Sequence, residues 1–204
     1  MERPGKVVCV GRNYREHARE LGNEVPATPL VFIKPINSII EDRDPIVLPV
    51  GIGRVDFEGE IGIVIGKRIR KASEEEAVEA IRGIVAVNDV SARDLQKSDP
   101  QWWRAKGYDT FCPIGPESRG RPEFDALEVV TRVNGSPRQR GLSKDMAFSI
   151  PFLISFISSA MTLEPGDIVA TGTPEGVGPL AAGDEVEVEV VGWSRVRSPV
   201  VADA

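Results

Sequence analysis

The run from Val55 to Ile65, VDFEGEIGIVI, constrains this chain more than any other segment. It reads as the strongest strand in the sequence. Two glutamates, Glu58 and Glu60, interrupt its apolar side chains. Residues two apart on a strand share a face, so these carboxylates are neighbours. Carboxylates this close repel unless positive charge lies between them, and burying them without it is costly. A hard divalent ion removes the repulsion and takes oxygen ligands. The alternative is a strand with one wet face, as expected for the glutamates of Asp184 to Val191, DEVEVEVV. The run alone leaves both open. Asp89 adds a third acid: it closes IVAVND, where apolar sequence gives way to a polar loop. Three carboxylates without nearby Cys or His point to Mg²⁺ or Mn²⁺ rather than Zn²⁺.

The flanking segments set the fold class. Further strands are expected at Lys6 to Val10, Leu30 to Ile33, Ile46 to Leu48, Ile84 to Val90, Leu127 to Asn134 and Asp167 to Thr171. Asn134-Gly135 marks a hairpin turn. Helices are expected at Asn13 to Leu21, ended by Gly22, at Ala72 to Ile81 with Ser73 as N-cap, and at Ile150 to Met161, apolar on most faces and therefore buried. Leu95 to Lys106 reads as irregular or partly helical. Strands and helices do not alternate strictly, which argues against a doubly wound parallel sheet. The expected class is α+β and β-rich: a mixed-sheet roll or barrel with a few peripheral helices. With 204 residues, the chain suits one domain.

Composition removes several function classes. The net charge is −6, with 31 acidic against 25 basic residues, and no basic stripe of a nucleic-acid binder is present. The basic stretch Lys67 to Lys71 runs straight into Glu74, Glu75 and Glu76 and reads as a solvated loop leading into a helix. Cys9 and Cys112 form no CxxC pair and are expected as buried, reduced thiols. No window approaches the ~20 apolar residues of a membrane span. The opening MERPGK is not followed by a signal-peptide core, so the expected location is cytoplasmic.

His17 is the sole histidine. Glu20 lies three residues on and shares its helix face. A carboxylate beside an imidazole fixes its tautomer and stabilises the imidazolium, which makes a general base near neutral pH. The same spacing also fits a plain surface pair on a charged helix, REHARE.

Several blocks together carry a resemblance. GRNYREHARELG, PLVFIKPINSI, DFEGEIGIVIG, VNDVSARDLQ, KGYDTFCPIGP and TGTPEGVGP occur in the order found in the fumarylacetoacetate hydrolase (FAH) superfamily, from about residue 7 to about residue 190. The chain resembles its short, single-domain members: acylpyruvate hydrolases, oxaloacetate decarboxylases or tautomerases, and hydroxyheptadienedioate isomerases of aromatic catabolism. The resemblance implies one FAH-type catalytic domain over 1–204, with N-terminal strands and a possible lid helix in about 1–50 and a metal-binding β-rich core in about 51–204. It implies one Mg²⁺ or Mn²⁺ per chain on Glu58, Glu60 and Asp89, with His17, Glu20 and Lys106 as catalytic groups. It places Arg93, Gln96 and Thr173 at the substrate, with Arg12 and Tyr14 as further pocket candidates. It also implies a small keto-acid substrate and a homodimer. The implied chemistry passes through a metal-bound enolate of a 2-keto or β-diketo acid, toward acylpyruvate C–C hydrolysis or oxaloacetate decarboxylation. The alternatives are 2-hydroxyhepta-2,4-diene-1,7-dioate isomerisation or keto–enol tautomerisation and, from a different class, a metal-free binding module.

Overall fold

The computed structural model describes residues 3–20, 22 and 24–203. Six strands form one sheet in the order Ser118–Arg119, Ile81–Asn88, Gly59–Ile65, Ile168–Ala170, Val7–Gly11, Leu30–Lys34. Neighbours are antiparallel except Val7–Gly11 beside Ile168–Ala170. Five strands form a second sheet in the order Ser136–Leu142, Glu128–Val133, Glu185–Val190, Ser194–Ala202, Ile46–Leu48, with only the last pair parallel. The chain is the strand-rich α+β type expected, with mixed sheets and few helices. Both sheets are open.

Two-residue alternation distributes each central strand between two cores. Ile61, Ile63 and Ile65 join Val8, Val10, Ile84 and Val169 in the main core, against Val129, Val188 and Val196 of the second sheet. Val64 faces the other way, with Val7, Cys9, Val85 and Val87. Glu60 shares that second face through the same alternation. Cys9 and Cys112 are buried and free, as expected.

The helices close the main core. Ile150–Ala160 presents buried Ile150, Leu153, Ile154 and Ile157 and packs on Glu74–Ala80. Phe148, Phe152 and Phe156 form a partly exposed row of stacked rings along it, so the helix is not buried throughout. Ser73 caps Glu74–Ala80: its Oγ accepts the Glu76 N–H while Glu76 accepts the Ser73 N–H. The preceding Lys67, Arg68, Arg70 and Lys71 are exposed in a loop. Asn134 and Gly135 take positive φ, 51° and 76°, as the tight hairpin between Glu128–Val133 and Ser136–Leu142 requires.

Two of the expected elements change. The single strand expected over Val55 to Ile65 breaks at Glu58 into Val55–Phe57 and Gly59–Ile65, which belong to different sheets. At the break, Asn88 Oδ1 accepts the Glu58 N–H and the Glu58 carbonyl accepts the Asp89 N–H. The helix expected over Asn13 to Leu21 spans Arg15–Glu20, and Leu21 lies outside the described residues. Leu95 to Lys106 is partly helical, as expected: it holds the end of Arg93–Ser98 and the short helix Trp103–Lys106. Among the described residues, no helix is long and apolar enough to cross a membrane.

Candidate active site

The carboxylates meet where the six-stranded sheet loses its regular pairing. Glu60 lies opposite Val87, Glu58 sits at the strand break, and Asp89 follows the last residue of Ile81–Asn88. All three are buried, and one oxygen from each lies within 4.8 Å of the others.

Three buried cations surround two of these acids. Lys106 Nζ donates to Glu58 Oε2 at 2.7 Å and to Asp89 Oδ2 at 2.6 Å. Arg93 approaches Glu58 Oε1 at 2.6 Å and donates to Asp56 at 2.8 Å. Lys34 Nζ donates to Asp89 Oδ1 at 2.7 Å and to the Val90 carbonyl at 3.2 Å. Glu60 accepts a hydrogen bond from the Gly172 N–H, 2.8 Å, and makes no ion pair among the described residues.

The acids differ accordingly. Burial favours a neutral Glu58, but Arg93 and Lys106 outweigh it and hold the carboxyl below its ordinary range. Burial, then the charges of Asp89 and Glu58, push Glu60 well above that range. Burial also opposes the Lys106 charge, yet Asp89 and Glu58 keep it protonated above the ordinary lysine value. Glu60 is therefore a buried acid short of positive charge. An all-oxygen donor set with one uncompensated carboxylate fits a hard divalent cation.

His17 and Glu20 come from the helix Arg15–Glu20. His17 is buried, which rules out a plain surface pair; its Nδ1 lies 3.5 Å from Glu20 Oε2. Burial lowers its pKa from 6.5, partly offset by Glu58 and Glu20. Glu20 is anchored in turn by the Gly176 N–H at 3.1 and 3.2 Å. Gly176 has φ 91°, and a Cβ there would fall 2.2 Å from the Arg138 carbonyl oxygen, so only glycine fits.

A cleft of about 560 Å³ joins these groups. His17, Glu20, Glu58, Glu60, Asp89 and Lys106 line it, with Arg12, Arg93, Gln96 and Thr173. Arg12 holds a left-handed backbone, φ 59°, at the cleft edge. Gln96 accepts from Arg93 at 2.9 Å. Tyr14 is not brought to this cleft. Its ring sits in the main core and borders a separate cavity with Arg140, Asp145 and Glu175, because its backbone bridges to Met146 on the other side of the loop.

Sequence reasoning passed over Lys34, Phe32, Trp102 and Lys97, which join or line the site. Phe32 and Trp102 pack edge to face, 5.4 Å between centroids, and Lys106 Nζ lies 5.0 Å from the Phe32 centroid. A charged residue closing the apolar run LVFIK was the available signal for Lys34.

The open mixed sheets, the acidic cluster and the cleft define a strand-rich enzyme domain built around buried carboxylates. The chain belongs to the fumarylacetoacetate hydrolase family: residues 6–201 match the pattern described as fumarylacetoacetate (FAA) hydrolase C-terminal. It is 45% identical over 202 residues to the mitochondrial oxaloacetate tautomerase FAHD1 of Arabidopsis thaliana, covering 96% of this chain and 90% of that one. It is 41% identical over 196 residues to the mitochondrial oxaloacetate decarboxylase of Dictyostelium discoideum, covering 92% and 89%. Among solved structures it resembles 5-carboxymethyl-2-hydroxymuconate delta-isomerase from Mycobacterium smegmatis, with TM-score 0.92 and 44% identity over 99% of this chain and 80% of that one.

Proposed function

We propose that this chain is a Mg²⁺- or Mn²⁺-dependent enzyme acting on a small 2-keto or β-diketo acid. The observation that carries the reading is the cluster of Glu58, Glu60 and Asp89, three buried carboxylates with Glu60 lacking an ion-pair partner among the described residues, in one cleft with Lys106 and His17. Glu58, Glu60 and Asp89 would hold the ion. When bound, such an ion supplies a Lewis acid that lowers the cost of negative charge on a substrate oxygen.

The protein's own groups do the rest. Lys106 keeps a fixed positive charge beside the acids, an electrostatic aid to an oxyanion. Arg93, Gln96 and the backbone N–H of Thr173 bind the substrate's carboxylate and carbonyl oxygens, with Arg12 at the edge; the Thr173 hydroxyl proton is already held by the Gly59 carbonyl. His17, neutral and backed by Glu20, takes up a proton. In tautomerisation or isomerisation that proton comes from the carbon beside the ketone and returns to another atom. In acylpyruvate hydrolysis it comes from water: the hydroxyl adds to the distal carbonyl, the C–C bond then breaks and leaves its electron pair on the carbon beside the 2-ketone, and that carbon takes the proton back from His17. In oxaloacetate decarboxylation the departing CO₂ leaves its electron pair on the same carbon.

Oxaloacetate chemistry, decarboxylation or tautomerisation, is the main reading alongside acylpyruvate hydrolysis. The isomerase reading has its own support in the solved delta-isomerase, which this chain resembles over 99% of its length; the two oxaloacetate enzymes support the main reading. The catalytic unit is proposed to span residues 1–204, to work as a cytoplasmic homodimer, and to need no nucleic acid or membrane. The test is a panel of oxaloacetate, acetylpyruvate and a hydroxymuconate-type enol, each assayed with Mg²⁺, with Mn²⁺ and with chelator, followed by product analysis. Metal-dependent conversion of at least one is expected. Metal-independent turnover, or none on any of the three, overturns the reading.

A further inference from the structure

We propose that Gln139 is a positioning residue for the carboxylate cluster: from the second sheet, it locks the peptide between Glu58 and Glu60 to the hydroxyl of Thr173. The proposal rests on reading Glu58, Glu60 and Asp89 as metal ligands.

Gln139 lies on the strand Ser136–Leu142, whose neighbours Pro137, Arg138 and Arg140 are exposed. Its own side chain is only 2% exposed. The strand changes register here: Thr131 pairs with Gln139 while Arg132 pairs with Pro137, so Arg138 is the extra residue of a bulge. Bulges re-aim side chains.

The buried amide is fully used. Gln139 Oε1 accepts the Gly59 N–H at 2.9 Å. Its Nε2 donates to Thr173 Oγ1 at 2.7 Å and to the Pro174 carbonyl at 2.8 Å. Thr173 Oγ1 donates back to the Gly59 carbonyl at 2.9 Å. Both polar groups of Gly59 are therefore bound by one Gln139–Thr173 unit.

Gly59 is the residue between the two glutamates, and glycine has the most backbone freedom to lose. It cannot be replaced by a stiffer residue, because a Cβ would fall 2.0 Å from Thr131 Oγ1. Rotation of its peptide would swing Glu58 and Glu60 relative to one another. Gln139 removes that rotation. The same unit commits the Thr173 hydroxyl proton to Gly59, while the adjacent Gly172 N–H holds Glu60. The loop that meets substrate and the acids that would hold the ion are thereby fixed to each other.

Thr131 supplies an internal control. Its hydroxyl is buried against Gly59, but makes no hydrogen bond among the described residues. Metal-free wild type, Gln139→Met and Thr131→Val are titrated with Mn²⁺ by calorimetry. Gln139→Met is expected to weaken binding about 10–100-fold, the usual cost of losing a group that orients ligands. Thr131→Val is expected to bind as wild type does. At saturating Mn²⁺, the remaining defect of Gln139→Met should fall on KM, through Thr173, more than on kcat. Should Gln139→Met fail to fold, Gln139→Asn, whose amide is one methylene short, should weaken binding in the same direction. Wild-type affinity in whichever Gln139 variant folds, or an equal loss in Thr131→Val, overturns the positioning role. Absence of Mn²⁺ binding by wild type overturns the metal site itself, and the positioning role with it.

Discussion

Two stretches of this chain space glutamates two apart in strand-forming sequence, and they end in opposite states. Glu185, Glu187 and Glu189 lie on the outer face of the second sheet, where Arg132 and Arg197 answer them across the strands. Burial alone would raise the Glu187 carboxyl, but Arg197 and Arg132 outweigh it and hold it below the ordinary value. Glu58 and Glu60 are buried, and the cations nearby serve Glu58 and Asp89 while Glu60 is left with one backbone N–H. The difference teaches that acidic spacing is not the signal of a site. A buried acid whose charge the protein leaves unmatched is the signal, because it is costly unless a ligand completes it.

The sharpest way to break this comparison is to remove one acid from each stretch. Glu60→Ala should abolish Mn²⁺ binding in calorimetry and lower turnover by at least about 10³-fold, the several kcal/mol expected of a lost Lewis acid. Glu187→Ala should leave kcat/KM within about twofold and cost about 1 kcal/mol or less in urea unfolding, as partly exposed ion pairs do. Full activity of Glu60→Ala in chelator-treated buffer would sink the distinction.

The dyad is a milder case of charge matching, one carboxylate beside one imidazole. His17→Ala should reduce kcat about 10²–10⁴-fold, the range for a lost general base. Mn²⁺ affinity should hold, since His17 is outside the carboxylate cluster. Unchanged turnover would remove His17 from the chemistry.

Lys34 tests the matched side of the same cluster. Lys34→Met leaves Asp89 with Lys106 as its one cation. Breaking a buried pair costs about 3–5 kcal/mol, and the remaining partner puts this case at the lower end, near about 3 kcal/mol in denaturant unfolding of the metal-free protein. Saturating Mn²⁺ should recover part of the loss. A variant as stable as wild type would show that Lys34 does not compensate Asp89.

Lys34 also marks where the sequence stopped being readable. Alternation in DEVEVEVV, the Asn134-Gly135 turn and the Ser73 cap are local signals, and the strand, hairpin and helix they announce are present, while VDFEGEIGIVI forms two strands rather than one. The long strand Ser194–Ala202 carried no such signal, and it is held by pairing with Glu185–Val190. The break at Glu58 depends on Asn88, and the salt bridge of Lys34 on Asp89, partners far away along the chain. Gln139 sits in the polar run SPRQRGL, and the bulge turns it inward. Side-chain burial on a polar strand is a tertiary property, and no spacing rule reports it. Tyr14 shows the converse: it adjoins cleft residues in sequence, yet the chain turns it into the core.

The smallest expected effect is a shift along the pH axis, and it separates the dyad from the cluster. Burial sets the His17 pKa below 6.5, and Glu20 works against that shift. The neutral base is therefore present above the folded pKa, and turnover should fall on the acid side as His17 protonates, at pH below 6.5. Glu20→Gln removes a contribution that raises the pKa, so the acid limb should move to lower pH. The plateau rate should drop at the same time, because the imidazolium loses its stabilising charge. Stability follows the same sign. The unfolded histidine binds protons more readily than the folded one, so the contribution of His17 is complete above 6.5 and is lost as pH falls below it. Glu20→Gln should deepen that loss. A rate profile whose acid limb stays in place or moves to higher pH in Glu20→Gln would show that Glu20 does not tune His17, and that the two share a helix face without sharing a proton.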